Sequence, residues 1–217
     1  MIKFYALGLS GYCTKVRIVL RIKQVPYEEV RPDGGHYSSP AYQERVPPGS
    51  IPAIEMDAFT LFDSEAIVEF LEDRWPNPPM RADDPEEKAR QRALSQFHNT
   101  RLEPAVRKLF PLVKQEGSKE VEREVSKLKE SFLDQIEKLG KVVAPSPFIG
   151  GRTPCLADCG FPTTIRMGQD IFNHLGVDIE LPIWANAWLG SLETHEIIGD
   201  EVQKNRAAIS KWLDAFH

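Results

Sequence analysis

Cysteine is scarce: Cys13, Cys155 and Cys159 are the only three in 217 residues. An odd, small number cannot build a disulfide framework and fits a reducing compartment, so the cytoplasm is the expected location. Residue 10 is Ser and residue 16 is Val, so Cys13 has no Cys-x-x-Cys partner and dithiol redox chemistry is excluded. Cys155 and Cys159 share a helix face, but no further His or Cys stands at ligand spacing, and no metal site is expected. Long apolar runs are also missing. Nothing approaches the roughly 20 residues needed to cross a bilayer, and the opening MIKFYALGLS lacks a signal-peptide cleavage pattern. Neither sign of charge dominates: the net charge is -5, with the signs interspersed. That argues against nucleic acid as a partner, and no membrane partner is expected. There are no internal repeats or low-complexity tracts.

What is present is a chain 41% hydrophobic, long for one compact domain and comfortable for two. Ile2–Tyr5 reads as a strand, and Val16, Val19, Leu20 and Ile22 recur at helical spacing until Gln24-Val25-Pro26 stops them. Tyr27–Val30 is a second strand, which makes a parallel βαβ unit. A polar stretch with a short helix near 41–44 leads to two brief strands, 53–56 and 59–62. Asp57-Ala58 between them suits a hairpin turn. Asp63-Ser64 then opens a helix with apolar Ala66, Ile67, Phe70 and Leu71. The order predicts an α/β thioredoxin-like N-terminal domain over residues 1–75. Four prolines within 76–85 mark a linker. Residues 86–217 are helical in pattern throughout and predict an all-α helical-bundle C-terminal domain. Its expected helices run over 86–115 with a bend at Pro104 or Pro111, then over 120–139, 156–175, 182–193 and 200–216.

Three short motifs carry possible chemistry. Pro52 enters a strand, where it cannot donate to a ladder. A cis Ile51–Pro52 bond there would turn the Ile51 backbone amide and carbonyl outward, to pair with an extended peptide as an added strand does. Asp63 and Ser64 sit at a helix N-terminus, where free N–H groups receive a carboxylate, Ser64 adds a donor and Asp63 accepts from an ammonium. Ser10 lies between the first strand and the first helix, where anions are stabilised. A hydrogen bond to a thiolate is worth about 1.5–3 kcal/mol, enough to bring a thiol of pKa roughly 8.5 towards neutrality. Taken singly, a proline loop, a helix cap and a turn serine are the plain alternatives for these motifs. Cys13 is a rival nucleophile at the same helix end, and Tyr5 a rival donor to a thiol. Tyr12, Cys13, His98, Arg101 and Arg166 are candidates for facing a second substrate, with surface or core roles as the plain alternative.

The order of the motifs resembles the cytosolic glutathione S-transferase family, and its zeta class of maleylacetoacetate and maleylpyruvate isomerases in particular. The similar pieces are Ser10 with Val16–Leu20, Asp33-Gly34-Gly35-His36, Val46-Pro47 through Ile54, and Asp63–Glu72, with Leu102-Glu103-Pro104 and Leu156-Ala157-Asp158 further on. The resemblance implies the glutathione transferase fold and glutathione as co-substrate or cofactor. It makes Ser10 the hydroxyl that activates the thiol and Pro52 a cis-proline. Ile51 pairs by its backbone with the cysteinyl part, Asp63 and Ser64 hold the γ-glutamyl end, and His36 faces the glycyl end. Asp158 becomes a capping-box residue with a folding role. The implied activity is attack of the thiolate on a small, largely apolar electrophile by a homodimeric enzyme of detoxification. Isomerisation of maleyl-type acids and reductive dehalogenation are the enzymatic alternatives; isomerisation calls for a cation in the pocket, with Arg101 and Arg166 as candidates. A non-catalytic binding protein on the same fold, or a thiol oxidoreductase working through Cys13, are the readings from other classes.

Overall fold

The computed structural model describes residues 1–115 and 117–216; Glu116 and His217, both inside the helical region read from the sequence, lie outside the described residues. β1 (Ile2–Tyr5) puts Ile2 and Phe4 into the core. The chain leaves it through Leu7-Gly8-Leu9 and enters α1 (Gly11–Ile22), with Ser10 as N-cap. The chain then reverses into β2 (Tyr27–Val30), which lies parallel to β1. After α2 (Pro40–Gln43), the hairpin β3 (Ala53–Met56) and β4 (Phe59–Phe62) adds two antiparallel strands. The sheet order is β2-β1-β3-β4, and α3 (Ser64–Arg74) follows. The parallel pair needs the helical crossover, while the antiparallel pair needs only Asp57-Ala58, with Asp57 at φ 51°.

The rest is helical. α4 (Pro85–Phe97) and α5 (Glu103–Arg107) are separated by a wider π-type turn at His98–Leu102. This corrects the single bent helix expected over 86–115. Pro104 has no N–H to return to the preceding turn, so the ladder is already disturbed just upstream of it. α6 (Lys119–Gly140), α7 (Phe161–His174), α8 (Ile183–Thr194) and α9 (Glu196–Leu213) complete the order. Asp158 is wholly buried ahead of α7 and accepts the N–H groups of Ile149, Gly150 and Cys155 and the indole N–H of Trp188. Burial pushes its carboxyl above the usual range, and these four donors pull the other way.

α1 sits at the centre. One face packs on the sheet, while α3, α7 and α9 pack around the others, so even its basic residues are covered. Lys15 is buried against Glu65 and Ser95, the latter at 2.9 Å. Arg17 takes Glu29 through two bonds of 2.7 Å and reaches Glu201 of α9. Lys23 meets Glu72 at 2.6 Å and the carbonyls of Trp75 and Pro78. Charges this buried persist only when paired and hydrogen-bonded. The pairs lock the first crossover helix to both halves of the chain.

Candidate active site

A cavity of about 800 Å³ opens between the end of β1, the loop before β3, and helices α5 and α9. Ser10, Tyr12, His36 and Ile51 line it on the sheet side. Arg107, Phe110, Pro111, Lys114 and Trp212 line it on the helical side. A second hollow of about 440 Å³ shares Tyr12, Ser50 and Ile51 with the first and extends to Pro52, Asp63, Ser64 and Glu65. The two form one groove that runs from the tip of α1 to the tip of α3. All six residues assigned to glutathione in the sequence reading lie along it.

At one end, the Ser10 oxygen accepts the Cys13 N–H at 3.3 Å and so caps α1. Accepting this bond leaves the hydroxyl proton to donate, at a helix end where an anion is favoured. In the middle, the Ile51–Pro52 peptide is cis, and the Ile51 backbone N–H and C=O have no hydrogen-bond partner among the described residues. At the far end, Asp63 caps α3 by accepting the Glu65 N–H at 3.0 Å, with its own backbone at φ 73° and ψ 122°. A non-glycine residue in that region costs on the order of 1–3 kcal/mol, and such strain gathers at ligand sites. Ser64 is buried beside it.

Beneath this end lies a polar cluster that the sequence reading left without a role. Glu65 accepts from Lys15, from Ser95 at 2.7 Å and from Asn99 at 2.8 Å. Burial works against its charge, but the Lys15 ammonium and these donors outweigh it and hold the carboxyl below its ordinary value. Asn99 in turn bonds His98 Nδ1 at 2.9 Å and accepts the Tyr12 hydroxyl on its carbonyl at 3.1 Å. Nothing in the local pattern marks Glu65 as half-buried in a polar cluster, because its partners come from α1, α4 and the turn after it.

Several candidates lie elsewhere. Cys13 is fully buried, and burial, against hydrogen bonds from Ser10 and Leu7, pushes its thiol up to about 11. It sits in the core cluster and lines neither hollow. His98 is also buried, with Nε2 against Thr164 Oγ1 at 2.8 Å; burial and then the charge of Lys15 lower its pKa to about 3. Arg101 is exposed and lies over the Phe97 ring. Arg166 is tied to Glu193 and Gln169. None of these four lines the groove, and Tyr5 is turned away to Glu55 at 3.1 Å. Tyr12 alone of the second-substrate candidates faces it, its phenol pushed up by burial and then by the nearby Glu103 carboxylate. The cations that do face the cavity are Arg107 and Lys114. Sequence spacing offered one hint, the i, i+4 pair Glu103–Arg107.

Residues 4–79 match the family model of the glutathione S-transferase N-terminal domain. That stretch is a glutathione S-transferase N-terminal domain. It is 34% identical over 107 residues to a maleylacetoacetate isomerase of Pseudomonas aeruginosa, covering 47% of this chain and 50% of that protein. It is 27% identical over 162 residues to the maleylacetoacetate isomerase of Mus musculus, covering 73% and 74%. The first alignment thus spans about half of the relative's own length. Among solved structures, a delta-class glutathione transferase of Nilaparvata lugens superposes with a TM-score of 0.81 over 100% of both chains at 17% identity, which shows the transferase fold. Among the described residues no helix is long and apolar enough to cross a membrane.

Proposed function

We propose that this chain is a glutathione transferase, with glutathione extended along the groove and its sulfur beside Ser10. The observation that carries the reading is the state of the hydroxyl and thiol groups around the tip of α1. Tyr5 donates to Glu55, Tyr12 donates to Asn99 and Cys13 is buried. Ser10 alone combines a hydroxyl that is free to donate, a helix N-terminus and a wall of the cavity. The unpaired Ile51 backbone suits the cysteinyl part of a tripeptide as an added strand. The tip of α3, with Ser64 and Asp63, suits the carboxylate and ammonium of the γ-glutamyl end, and His36 stands at the opposite limit for the glycyl end. In this arrangement the thiol gives up its proton to solvent, the Ser10 hydroxyl donates to the thiolate, and the sulfur attacks an electrophilic carbon held against the helical wall.

Residues 1–75 then serve as the glutathione-binding domain, 76–85 as the linker, and 86–217 as the domain that shapes the second-substrate pocket. The family resemblance further implies a cytoplasmic homodimer; light scattering of the purified chain checks the oligomer. The test of the chemistry is Ser10→Ala. A lost charge-assisted bond of about 1.5–3 kcal/mol corresponds to a fall in kcat/KM of roughly 10- to 150-fold and to a rise of one to two units in the pKa of bound thiol. An unchanged pH profile in that variant would move the chemistry to another group. Glutathione-dependent isomerisation of an unsaturated acid is the second reading. The likeness to two maleylacetoacetate isomerases and the two cations on the cavity wall favour it, and a maleyl-type acid in the same assay tests it.

A further inference from the structure

We infer that the second substrate is an aromatic electrophile carrying an anionic group, with Lys114 as the residue that selects the anion; this rests on the transferase reading and adds a substrate class to it. Two rings of the helical wall, Phe110 and Trp212, lie 5.0 Å apart at 36°. Phe216, beyond the lining residues, extends the row by meeting the Trp212 ring at 5.5 Å. The row suits a planar group that stacks in an offset or edge-on manner. Against these rings stand two cations, while none of the cavity's lining residues among those described is acidic. That is a local reversal of charge in a protein of net charge -5. The two cations are not equivalent. Arg107 is neutralised by Glu103 and lies over Phe110 at 4.7 Å. Lys114 has no carboxylate partner among the described residues and rests 5.7 Å over the Phe216 ring. A positive charge held at the lip of an aromatic slot, with no carboxylate partner among the described residues, favours a ligand that brings its own negative charge.

The proposed reaction with such a substrate is aromatic substitution. The thiolate sulfur forms a bond to the ring carbon that bears a halide, and the carbon–halogen bond breaks. Halide leaves with the electron pair, the thiol proton having gone to solvent beforehand, and no oxidant or reductant is needed.

The experiment compares para-chloro-meta-nitrobenzoate with the corresponding benzamide, which has the same ring and leaving group but no charge. Each taken relative to its uncatalysed reaction with glutathione, the benzoate should be turned over by the chain with a kcat/KM about tenfold above the amide, the ratio expected for one partly shielded ion pair. That ratio should shrink as salt is raised. Lys114→Met should erase the preference, and Lys114→Arg should keep it. Equal rate enhancements over the uncatalysed reaction for the two substrates in the wild-type protein overturn the inference and leave the transferase reading intact. A matching rise in the KM for glutathione with both substrates in Lys114→Met also overturns it, because the cation then serves the tripeptide. If neither substrate reacts, the transferase reading fails. The anion preference is then decided by binding of the two S-aryl glutathione conjugates, where equal affinity, or no binding of either, overturns it.

Discussion

At the scale of single residues, the cluster under the tip of α3 makes a claim about acid stability. His98 is buried with both ring nitrogens engaged, and its pKa falls to about 3 from an ordinary 6.5. In the folded chain the imidazole therefore stays neutral while in the unfolded chain it binds a proton once the pH drops below about 6.5. A depressed folded value means the unfolded state holds more protons between those limits, so stability falls as pH is lowered through the window from 6.5 towards 3. One proton corresponds to a slope of about 1.4 kcal/mol per pH unit. Urea denaturation across this range should show that slope in the wild type, and His98→Gln should flatten it by about one proton. Glu65 acts with the same sign at lower pH. Its carboxyl is held below its ordinary range by the Lys15 ammonium and its hydrogen-bond donors, against burial, so its contribution is present above the unfolded carboxylate value and disappears as pH drops through the folded one.

Helices, strands and the Asp57-Ala58 turn were the readable level of this molecule, and the partners of its buried charges were not. Period-two and period-3.6 patterns mark β1, α1, α6 and α7 because half-buried faces repeat along the chain. Ser10, Asp63 and Ser64 were legible as helix starts for the same local reason. The break at His98–Leu102 escaped, since Pro104 disturbs the turn before it and a proline pattern only signals that a helix bends near by. The burial of Lys15, Arg17 and Lys23 escaped as well. A lysine between apolar residues reads as a solvated face, and only α3, β2 and α9, brought in from far along the chain, supply Glu65, Glu72, Glu29 and Glu201. Arg107 and Lys114 were missed for a related reason: the cavity they face has its opposite wall about a hundred residues away in sequence. The junction of α8 and α9 gives a prediction at this scale. A methyl group on Gly199 would stand 2.1 Å from the Glu193 carbonyl oxygen, so Gly199→Ala must shift backbone. A cost at the upper end of overpacking, about 3 kcal/mol, is expected in the midpoint of chemical denaturation. Because α9 carries Trp212, the benzoate rate should suffer more than glutathione binding.

Across the whole molecule the sheet and the helices share one buried core. A single contiguous cluster runs from Ile2, Phe4 and Ile54 through Val16, Ile18 and Leu20 to Phe161, Ile165, Trp188 and Ile209. The buried pairs of α1 reach Glu65 and Glu72 on α3 and Glu201 on α9. Two domains joined only by a linker unfold separately, but two halves that pack on the same helix do not, since losing the helical half uncovers the faces of α1 that meet α7 and α9 and takes Glu201 from Arg17. Unfolding should therefore be one cooperative transition, with calorimetric and van't Hoff enthalpies equal. Trp75 reports on the end of α3, whereas Trp184, Trp188 and Trp212 report on the helical part. Fluorescence of the wild type and of Trp75→Phe should give coincident melting curves. Glutathione at about 100 times its Kd should add about 2.7 kcal/mol to the whole transition, although it touches mainly the sheet side. A ligand shift confined to the Trp75 signal, with the helical tryptophans melting as before, would show that α1 does not couple the halves and that the groove belongs to the first domain alone.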